Sequence, residues 1–262
     1  MALKLFDLAA AEDNRRFSPY CWRVKMALRH KNLNAETVPW RFTEKDAIAF
    51  SGQQSVPVLV DGETIVSDSW EIARYLERKY QNTQSLFGGA SGEGTALFVK
   101  FWCEHTLHPA MMHTIVTDIY ARLHDKDKTY FRETREARWG CSLESFALPP
   151  AESVPLLRHA LAPLRAMLER QPFIAGTQPM FADYIVFGVF QFARAMSPLR
   201  LLEPDDPVYQ WRARLLDAFG GYARQAQELP RPALPEGGLC LQCRQRDRGI
   251  PLQGSGRRAA LP

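Results

Sequence analysis

Residues Phe17–Lys31 read FSPYCWRVKMALRHK, and this stretch predicts a loop that turns into an amphipathic helix. Pro19 suits the first helical position, where its missing N–H would have no helical partner in any case, and that places Ser18 at the N-cap. A helix start with free N–H groups favours an anion, so the Ser18 hydroxyl is suitably placed for a thiolate, a phosphate or a carboxylate. On this stretch alone an ordinary N-cap serine is the simpler interpretation, because Ser-Pro before a helix occurs in many folds.

Strands are predicted on both sides of this helix. The segments Leu3–Leu8 and Ala35–Trp40 give a strand–helix–strand order within the first 40 residues, which is the pattern of a parallel βαβ crossover. Residues 53–66 then join two β-branched runs through an Asp-Gly pair, which is a strong hairpin signal. Pro57 stands at the entry of the first run, where an X-Pro bond can be cis.

The next helix is predicted to start at Asp68, with Glu71 three residues later completing a capping box. The order βαβ then ββα predicts a small α/β domain over residues 1–82, and the composition of residues 83–94 is typical of a linker. Residues 95–229 show helical periodicity and predict an all-α domain. Its predicted helices are Glu93–Leu123, Lys128–Phe146, Val154–Arg170, Phe181–Met196 and Pro207–Glu228. The fourth of these is apolar on nearly all sides, as expected of a central helix.

The composition indicates a globular protein with a neutral body. Hydrophobic residues make up 46% of the 262 residues, and neither a membrane helix nor a signal peptide is predicted. The net charge of +4 equals that of residues 230–262 alone, which hold six Arg and two acidic residues. A neutral body gives no electrostatic case for nucleic acid or an anionic membrane as partner. Five unevenly spaced cysteines fit reduced thiols in a cytoplasmic protein.

Residues 230–262 are rich in Pro, Gly and Arg and predict a disordered tail. Cys240 and Cys243 form one Cys-x-x-Cys pair, which without a second pair or nearby histidines favours solvated thiols over a zinc site. Metal is likewise not expected on the first long helix of the all-α domain, because the separations of its possible ligands give no clean ligand face. Those residues are Cys103, His105, His108 and His113.

Four motifs together carry a resemblance to a known family. They are Ser18-Pro-Tyr-Cys-Trp-Arg-Val, Val56-Pro-Val-Leu, Asp68-Ser-Trp-Glu-Ile-Ala-Arg-Tyr-Leu and Phe173-Ile-Ala-Gly-Thr-Gln-Pro-Met-Phe-Ala-Asp183. Residues 1 to about 226 resemble a cytosolic glutathione transferase. The sequences around Asp68 and Asp183 are most similar to those of the bacterial β-aryl etherases and their fungal relatives. The resemblance implies a thioredoxin-like N-terminal domain that binds glutathione, a helical domain with an apolar pocket for a hydrophobic small molecule, and a homodimer.

The resemblance also implies a set of glutathione contacts. Ser18 matches the serine that faces the glutathione sulfur. Val56 matches the residue whose backbone pairs with the cysteinyl part of glutathione, with Pro57 cis. Asp68 and Ser69 match the pair that receives the γ-glutamyl end. The glycine carboxylate needs a cation or amide donors, and three candidates stay open: Arg41, Lys45 and Gln54.

Two positions depart from the family pattern. Met180 stands where the family has Ser or Thr capping the central helix, so we expect only half of a capping box, in which Asp183 reaches back to a backbone N–H. Cys21 lies three residues after Ser18. Family members with cysteine at the Ser18 position act as thiol reductases, so a reductase working through Cys21 is an alternative, although a buried Cys21 is favoured.

The second-substrate pocket has four candidate residues, Trp102, His105, Pro109 and Met112, for each of which core packing is an equal alternative. The leading hypothesis is an enzyme that stabilises the glutathione thiolate and delivers it to a hydrophobic, aromatic electrophile, either by general conjugation or by cleavage of a β-aryl ether. A non-catalytic protein that binds glutathione and apolar ligands on the same fold is the alternative from another functional class.

Overall fold

The computed structural model describes residues 3–230. Within them lies a four-stranded mixed sheet with the strand order β2-β1-β3-β4. β1 and β2 run parallel, whereas β3 is antiparallel to both β1 and β4. The strands are β1 (Leu3–Leu8), β2 (Ala35–Trp40), β3 (Val58–Asp61) and β4 (Thr64–Ser67). The predicted βαβ unit and hairpin are confirmed, and the arrangement is thioredoxin-like.

Helices complete this half of the structure. α1 (Pro19–His30) makes the crossover from β1 to β2, and α2 (Ser69–Lys79) follows β4. A 3-10 helix, Lys45–Ser51, lies between β2 and β3. The hairpin turns at Gly62, whose φ of 64° belongs to the left-handed region that glycine enters without a steric penalty.

The second half is helical. The predicted helix Glu93–Leu123 is present as α3 (Ala90–Trp102) and α4 (His108–Arg122), joined by a π-helical turn over Cys103–Leu107. The other helices are α5 (Asp125–Trp139), α6 (Leu143–Phe146), α7 (Pro150–Ala160), α8 (Ala162–Leu168), α9 (Phe181–Met196) and α10 (Pro207–Gly221). The predicted helix over 128–146 is divided because Gly140, with a φ of 70°, forms a left-handed C-cap that ends α5.

The central helix is α9, in which every residue is buried. Asp183 is fully buried near its start and accepts a hydrogen bond from the Met180 backbone N–H at 3.0 Å, as the half capping box predicts. The same carboxylate accepts bonds from Ile174 N–H and from the indole N–H of Trp211, each at 2.8 Å. Asp183 therefore ties the preceding loop and α10 to the beginning of α9.

α9 also packs closely against α1. A methyl group at Gly188 would lie 2.3 Å from the Pro19 carbonyl oxygen, so only glycine permits this approach to the first residue of α1. Near the other end of α1, His30 Nδ1 and the Tyr184 hydroxyl are 2.7 Å apart and form a buried hydrogen bond. The central helix therefore holds both ends of the helix that carries Ser18.

The boundaries of the two domains, the linker and the tail that the composition indicates stay predictions. α2 ends at Lys79, and α3 begins at Ala90 inside the expected linker, residues 83–94. The expected tail, including Cys240 and Cys243, lies outside the described residues apart from residue 230. Within residues 3–230, no helix has the length and apolar character needed to cross a membrane.

Candidate active site

Ser18 occupies the N-cap of α1, as predicted. Its Oγ accepts a hydrogen bond from the Cys21 backbone N–H at 3.2 Å, and the residue is only 3% exposed. That bond uses a lone pair of the oxygen, so the O–H group keeps its own hydrogen for donation to an anion. Ser18 lines the large cavity described next, with the positive end of the α1 dipole beside it.

A cavity of about 720 Å³ lies between the sheet domain and the helical half. Its size is within the range of small-molecule sites, and its walls combine aromatic side chains with polar and charged ones. The cavity brings together several of the predicted residues with others that the sequence did not single out. Its walls include Ser18, Gln54, Val56, Pro109, Met112 and His108.

Val56 and Pro57 join through a cis peptide bond, as the resemblance implies. The paired register of β3 begins at Val58, so the peptide groups of Val56 lie outside the sheet ladder. Val56 lines the same cavity as Ser18 and Pro19, the first residue of α1. Its backbone can therefore pair with an extended peptide in the way that an additional strand would.

Asp68 and Ser69 form the beginning of α2. Asp68 is exposed and has a φ of 69°, and its Oδ1 accepts hydrogen bonds from the N–H groups of Trp70 at 2.8 Å and Glu71 at 3.2 Å. The Ser69 hydroxyl is buried and has no hydrogen-bond partner among the described residues. An acidic cap beside an unpaired hydroxyl and a helix start suits a zwitterionic group such as the γ-glutamyl end of glutathione.

The three candidates for the glycine carboxylate are separated by the structure. Arg41 donates to the carbonyl oxygens of Ala10 and Ala11, both at 3.0 Å, pairs with Asp13 and is not part of the cavity wall. Lys45 and Gln54 both line the cavity. The Lys45 ammonium is hydrogen-bonded to the backbone carbonyl of Gln54, which places the two beside each other.

Cys21 is fully buried on α1, as favoured by the sequence. Its sulfur lies 3.9 Å from the Phe6 carbonyl oxygen, on the side of the sheet rather than the cavity. Burial raises the pKa of the Cys21 thiol far above its usual value. A neutral, enclosed thiol is a poor nucleophile, which disfavours the reductase alternative.

The π-helical turn decides which residues of α3 and α4 reach the cavity. Pro109 and Met112 line it, whereas Trp102 and His105 do not, and His105 is exposed and stacks on Phe101. A π turn holds more residues than an α turn, so it rotates the residues before it relative to those after it. The expectation for Trp102 and His105 assumed a continuous α-helix, which is the physical reason for their different placement.

Glu104 and His108 are cavity residues that the sequence did not assign to the pocket. Burial would raise the pKa of Glu104, but hydrogen bonds from Lys100 at 2.9 Å and Arg23 at 3.1 Å outweigh it and keep the pKa below its usual value. Burial lowers the pKa of His108 to about 4, so its imidazole is neutral at pH 7. It stacks on Phe192 with a ring separation of 5.9 Å.

A thioredoxin-like domain whose cis-proline segment faces a cavity shared with a helical domain defines the class to which this protein belongs. The sequence model of the glutathione S-transferase N-terminal domain matches residues 14–84, and that of the C-terminal domain matches residues 95–204. Glutathione S-transferase 4 of Zea mays is 32% identical over 202 residues, which cover 74% of this chain and 82% of that protein. The chain therefore belongs to the glutathione S-transferase family.

Solved structures share the fold. A glutathione S-transferase of Ceriporiopsis subvermispora in complex with glutathione superposes with a TM-score of 0.73 at 19% identity, covering 90% of this chain and all of that chain (100%). A glutathione transferase of Phanerochaete chrysosporium gives a TM-score of 0.68 at 21% identity, with coverages of 86% and 94%. Among residues 3–230, no group of three His, Cys, Asp or Glu side chains is arranged to hold a metal ion.

Proposed function

We propose that this protein binds glutathione, stabilises its thiolate through Ser18 and transfers the sulfur to a hydrophobic, aromatic electrophile. The observation that carries the proposal is the position of Ser18 at the N-terminus of α1, on the wall of a cavity that aromatic side chains of the helical half also line. Proximity of the two reactants and stabilisation of the anion are the main requirements of this chemistry.

The energetic demand on Ser18 is modest. A free thiol has a pKa near 8.5, so only a few per cent is ionised at pH 7. Lowering that pKa by about two units requires roughly 2.7 kcal/mol of differential stabilisation of the thiolate. A charge-assisted hydrogen bond from Ser18 together with the N–H groups at the start of α1 supplies an effect of this size.

The remaining parts of glutathione have matching partners. In our proposal the backbone of Val56, beside cis Pro57, pairs with the cysteinyl residue, and Asp68 with Ser69 receives the γ-glutamyl ammonium and carboxylate. The start of α2 supports this assignment, because the exposed Asp68 carboxylate suits an ammonium and the helix N-terminus suits a carboxylate. For the glycine carboxylate we favour Lys45 and Gln54 over Arg41, whose guanidinium already has four partners.

The aromatic walls of the cavity support an aromatic second substrate held by ring contacts. Two reactions suit such a pocket. In general conjugation the thiolate displaces a halide from an activated ring. In β-aryl ether cleavage it attacks the carbon next to a carbonyl; a C–S bond forms, the C–O bond breaks, and the phenolate leaves and takes a proton from water.

A paired assay tests the proposal. The purified protein is incubated with glutathione and either a β-aryl ether model compound or 1-chloro-2,4-dinitrobenzene, and phenol release or thioether formation is measured. Phenol release supports the etherase reaction, and turnover of the halide alone leaves a general conjugating transferase. Absence of both reactions, with glutathione bound, favours the binding-protein alternative.

We also propose that the protein is a cytoplasmic homodimer, with a glutathione domain over 1–82, a linker over 83–94 and a helical domain over 95–229. Apolar surface supports the dimer: Phe98 is 74% and Phe101 48% exposed on one face of α3, and Phe50 in the sheet domain is 50% exposed. Contiguous exposed aromatic groups mark interaction surfaces. The unbridged state of Cys21, Cys103 and Cys141 agrees with a reducing compartment.

A further inference from the structure

The charges on the cavity wall are unevenly distributed. Among the described residues, Glu104 is the acidic side chain on the wall. One of its carboxylate oxygens pairs with Arg23 at 3.1 Å and the other with Lys100 at 2.9 Å. The same wall carries three basic side chains, Lys45, Arg135 and Arg138. The cavity is therefore electropositive beyond what its own carboxylate can balance.

Two of these cations lie on one face of α5. Arg135 and Arg138 follow Phe131 at helical spacing, and all three line the cavity. Among residues 3–230, no acidic side chain forms an ion pair with Arg135 or Arg138. Arg132, one helical step away on α5, is different: it pairs with Glu136 at 2.8 Å and Glu144 at 2.7 Å. On α5, Arg132 outside the cavity thus forms ion pairs, whereas Arg135 and Arg138 on the cavity wall form none with the described residues.

Arg135 is held in place without an anion. Its guanidinium carbon lies 4.6 Å from the ring centroid of Phe131 and 5.0 Å from that of Phe42, and one nitrogen donates to the Thr134 hydroxyl at 2.8 Å. Burial, together with the nearby charge of Arg138, lowers the pKa of Arg135 below its usual value. Tyr130 is a further hydrogen-bonding neighbour of this guanidinium, and no carboxylate is among its partners in residues 3–230. A positioned, partly desolvated guanidinium on a cavity wall is well suited to bind a planar anion.

An aromatic wall stands beside these cations. Trp139 and Phe146 stack with their centroids 3.7 Å apart and an angle of 8° between the rings, and His113 stacks on Phe146 at 4.0 Å and 15°. His113 Nδ1 lies 2.8 Å from the Phe146 carbonyl oxygen, which can only accept, so Nδ1 carries the proton and fixes the ring. Flat aromatic surface and unpaired guanidinium groups occur together on this wall.

We propose that the second substrate is an aromatic acid: an electrophile whose ring bears a carboxylate, which binds Arg135 with Arg138 beside it. The inference rests on the proposed function and names the substrate class of the same site. Lys45 is adjacent to Gln54 and is assigned to glutathione, so the two anionic partners are received by different cations. Charge on the second substrate then becomes a basis of selection in this pocket.

The test compares 4-chloro-3-nitrobenzoate with its uncharged amide, 4-chloro-3-nitrobenzamide. In both, the glutathione sulfur adds to the carbon that bears chlorine, the C–Cl bond breaks, chloride leaves and the thiol proton passes to solvent. We expect Arg135→Gln to raise the KM of the benzoate at least about tenfold, as loss of one charge-assisted hydrogen bond does, and to leave the KM of the amide and of glutathione within about twofold. Arg135→Lys keeps the charge but loses the planar pair of donors, so we expect it to retain part of the preference for the benzoate over the amide.

Arg132→Gln is the matched control, because it removes an arginine of the same helix that is paired outside the cavity. It should leave the ratio of the two KM values unchanged. Equal increases for benzoate and amide in Arg135→Gln would overturn the inference and indicate a structural role. An increase confined to the KM of glutathione would also overturn it and assign Arg135 to the co-substrate.

The proposed function can fail separately. If the native protein turns over the amide, and the KM of the benzoate is the same in the native protein and in Arg135→Gln, the conjugating activity stands and the aromatic-acid inference falls. If neither compound is turned over, the proposed function fails, and calorimetric binding of 4-methyl-3-nitrobenzoate, which has no leaving group, decides the inference. Binding that weakens about tenfold in Arg135→Gln supports the anion site, and unchanged binding rejects it.

Discussion

Replacing Ser18 with alanine removes two interactions at once. The first is the N-cap hydrogen bond between Ser18 Oγ and the Cys21 N–H, which measures 3.2 Å. Its loss should lower the free energy of unfolding by about 1 kcal/mol, the usual effect of removing a serine cap. The second is the O–H group that we assign to the glutathione sulfur. The two losses are separable because only the second depends on the ionisation of a bound thiol.

The expected size of the second loss follows from one charge-assisted hydrogen bond, roughly 1.5 to 3 kcal/mol. Since one pKa unit corresponds to 1.36 kcal/mol, the pKa of the bound glutathione thiol should rise by about one to two units in Ser18→Ala. The native thiol, with a pKa lowered to about 6.5, is half ionised at pH 6.5, so turnover at that pH should fall by about 6- to 80-fold. It should fall much less at pH 9.5, where a thiol with an ordinary pKa near 8.5 is ionised without help.

The assay is kcat with 1-chloro-2,4-dinitrobenzene from pH 6 to 9.5, combined with the ultraviolet absorbance of the bound thiolate. Ser142→Ala is the matched control, because Ser142 caps α6 with a hydrogen bond of 3.1 Å from the Ser145 N–H. It tests whether loss of a serine cap alone changes kcat. A loss in Ser18→Ala that is equal at every pH would refute thiolate stabilisation and leave a positioning role. Unchanged turnover at pH 6.5 would remove Ser18 from catalysis altogether.

Three further changes test other parts of the site and surface. Asp68→Ala should weaken glutathione binding in calorimetry while kcat changes little, because the γ-glutamyl end is remote from the sulfur; Asp68→Asn, which keeps the cap oxygen, separates charge from capping. Burial lowers the pKa of His108 to about 4, so below pH 6.5 the unfolded chain binds a proton that the folded protein does not. The free energy of unfolding of the native protein, measured in urea, should therefore fall by about 2 kcal/mol more between pH 7.5 and pH 5 than that of His108→Asn. Equal losses in the two proteins would contradict this. Phe98→Glu should convert the proposed dimer to a monomer in light scattering with the fold unchanged by circular dichroism, and a persisting dimer would place the interface elsewhere.

The parts of the site that follow from local rules were predictable from the sequence. Ser18 before Pro19 is an N-cap by the stereochemistry of the first helical turn, and Asp68 caps α2 for the same reason. The Asp-Gly hairpin needed only turn chemistry, and the cis bond at Pro57 followed from the family resemblance. Each of these features is decided by residues close together in the chain.

The parts that depend on distant contacts were not predictable. Arg41 is drawn to the carbonyl oxygens of Ala10 and Ala11, about thirty residues earlier in the chain, which no local pattern records. The π turn at Cys103–Leu107 changes the phase of the helix. Pro109 marks an irregularity there, because it has no N–H to bond the His105 carbonyl, but the proline alone does not indicate how far the helix rotates. Arg135 resembles Arg132 in sequence, and only the packing of α5 distinguishes the cavity cation from the surface one.

The contact between Gly188 and the Pro19 carbonyl has a consequence for how the protein can acquire new substrates. Any larger residue at position 188 would push on the first turn of α1 and move Ser18, so the central helix sets the position of the group that we propose to activate the sulfur. The residues of α4 and α5 that face the cavity are not part of this contact. Substitutions on the cavity-facing side of α4 and α5 can therefore accumulate without disturbing this contact. A helical domain exchanged from another protein, in contrast, would need a glycine at the position that contacts the Pro19 carbonyl to keep Ser18 in place.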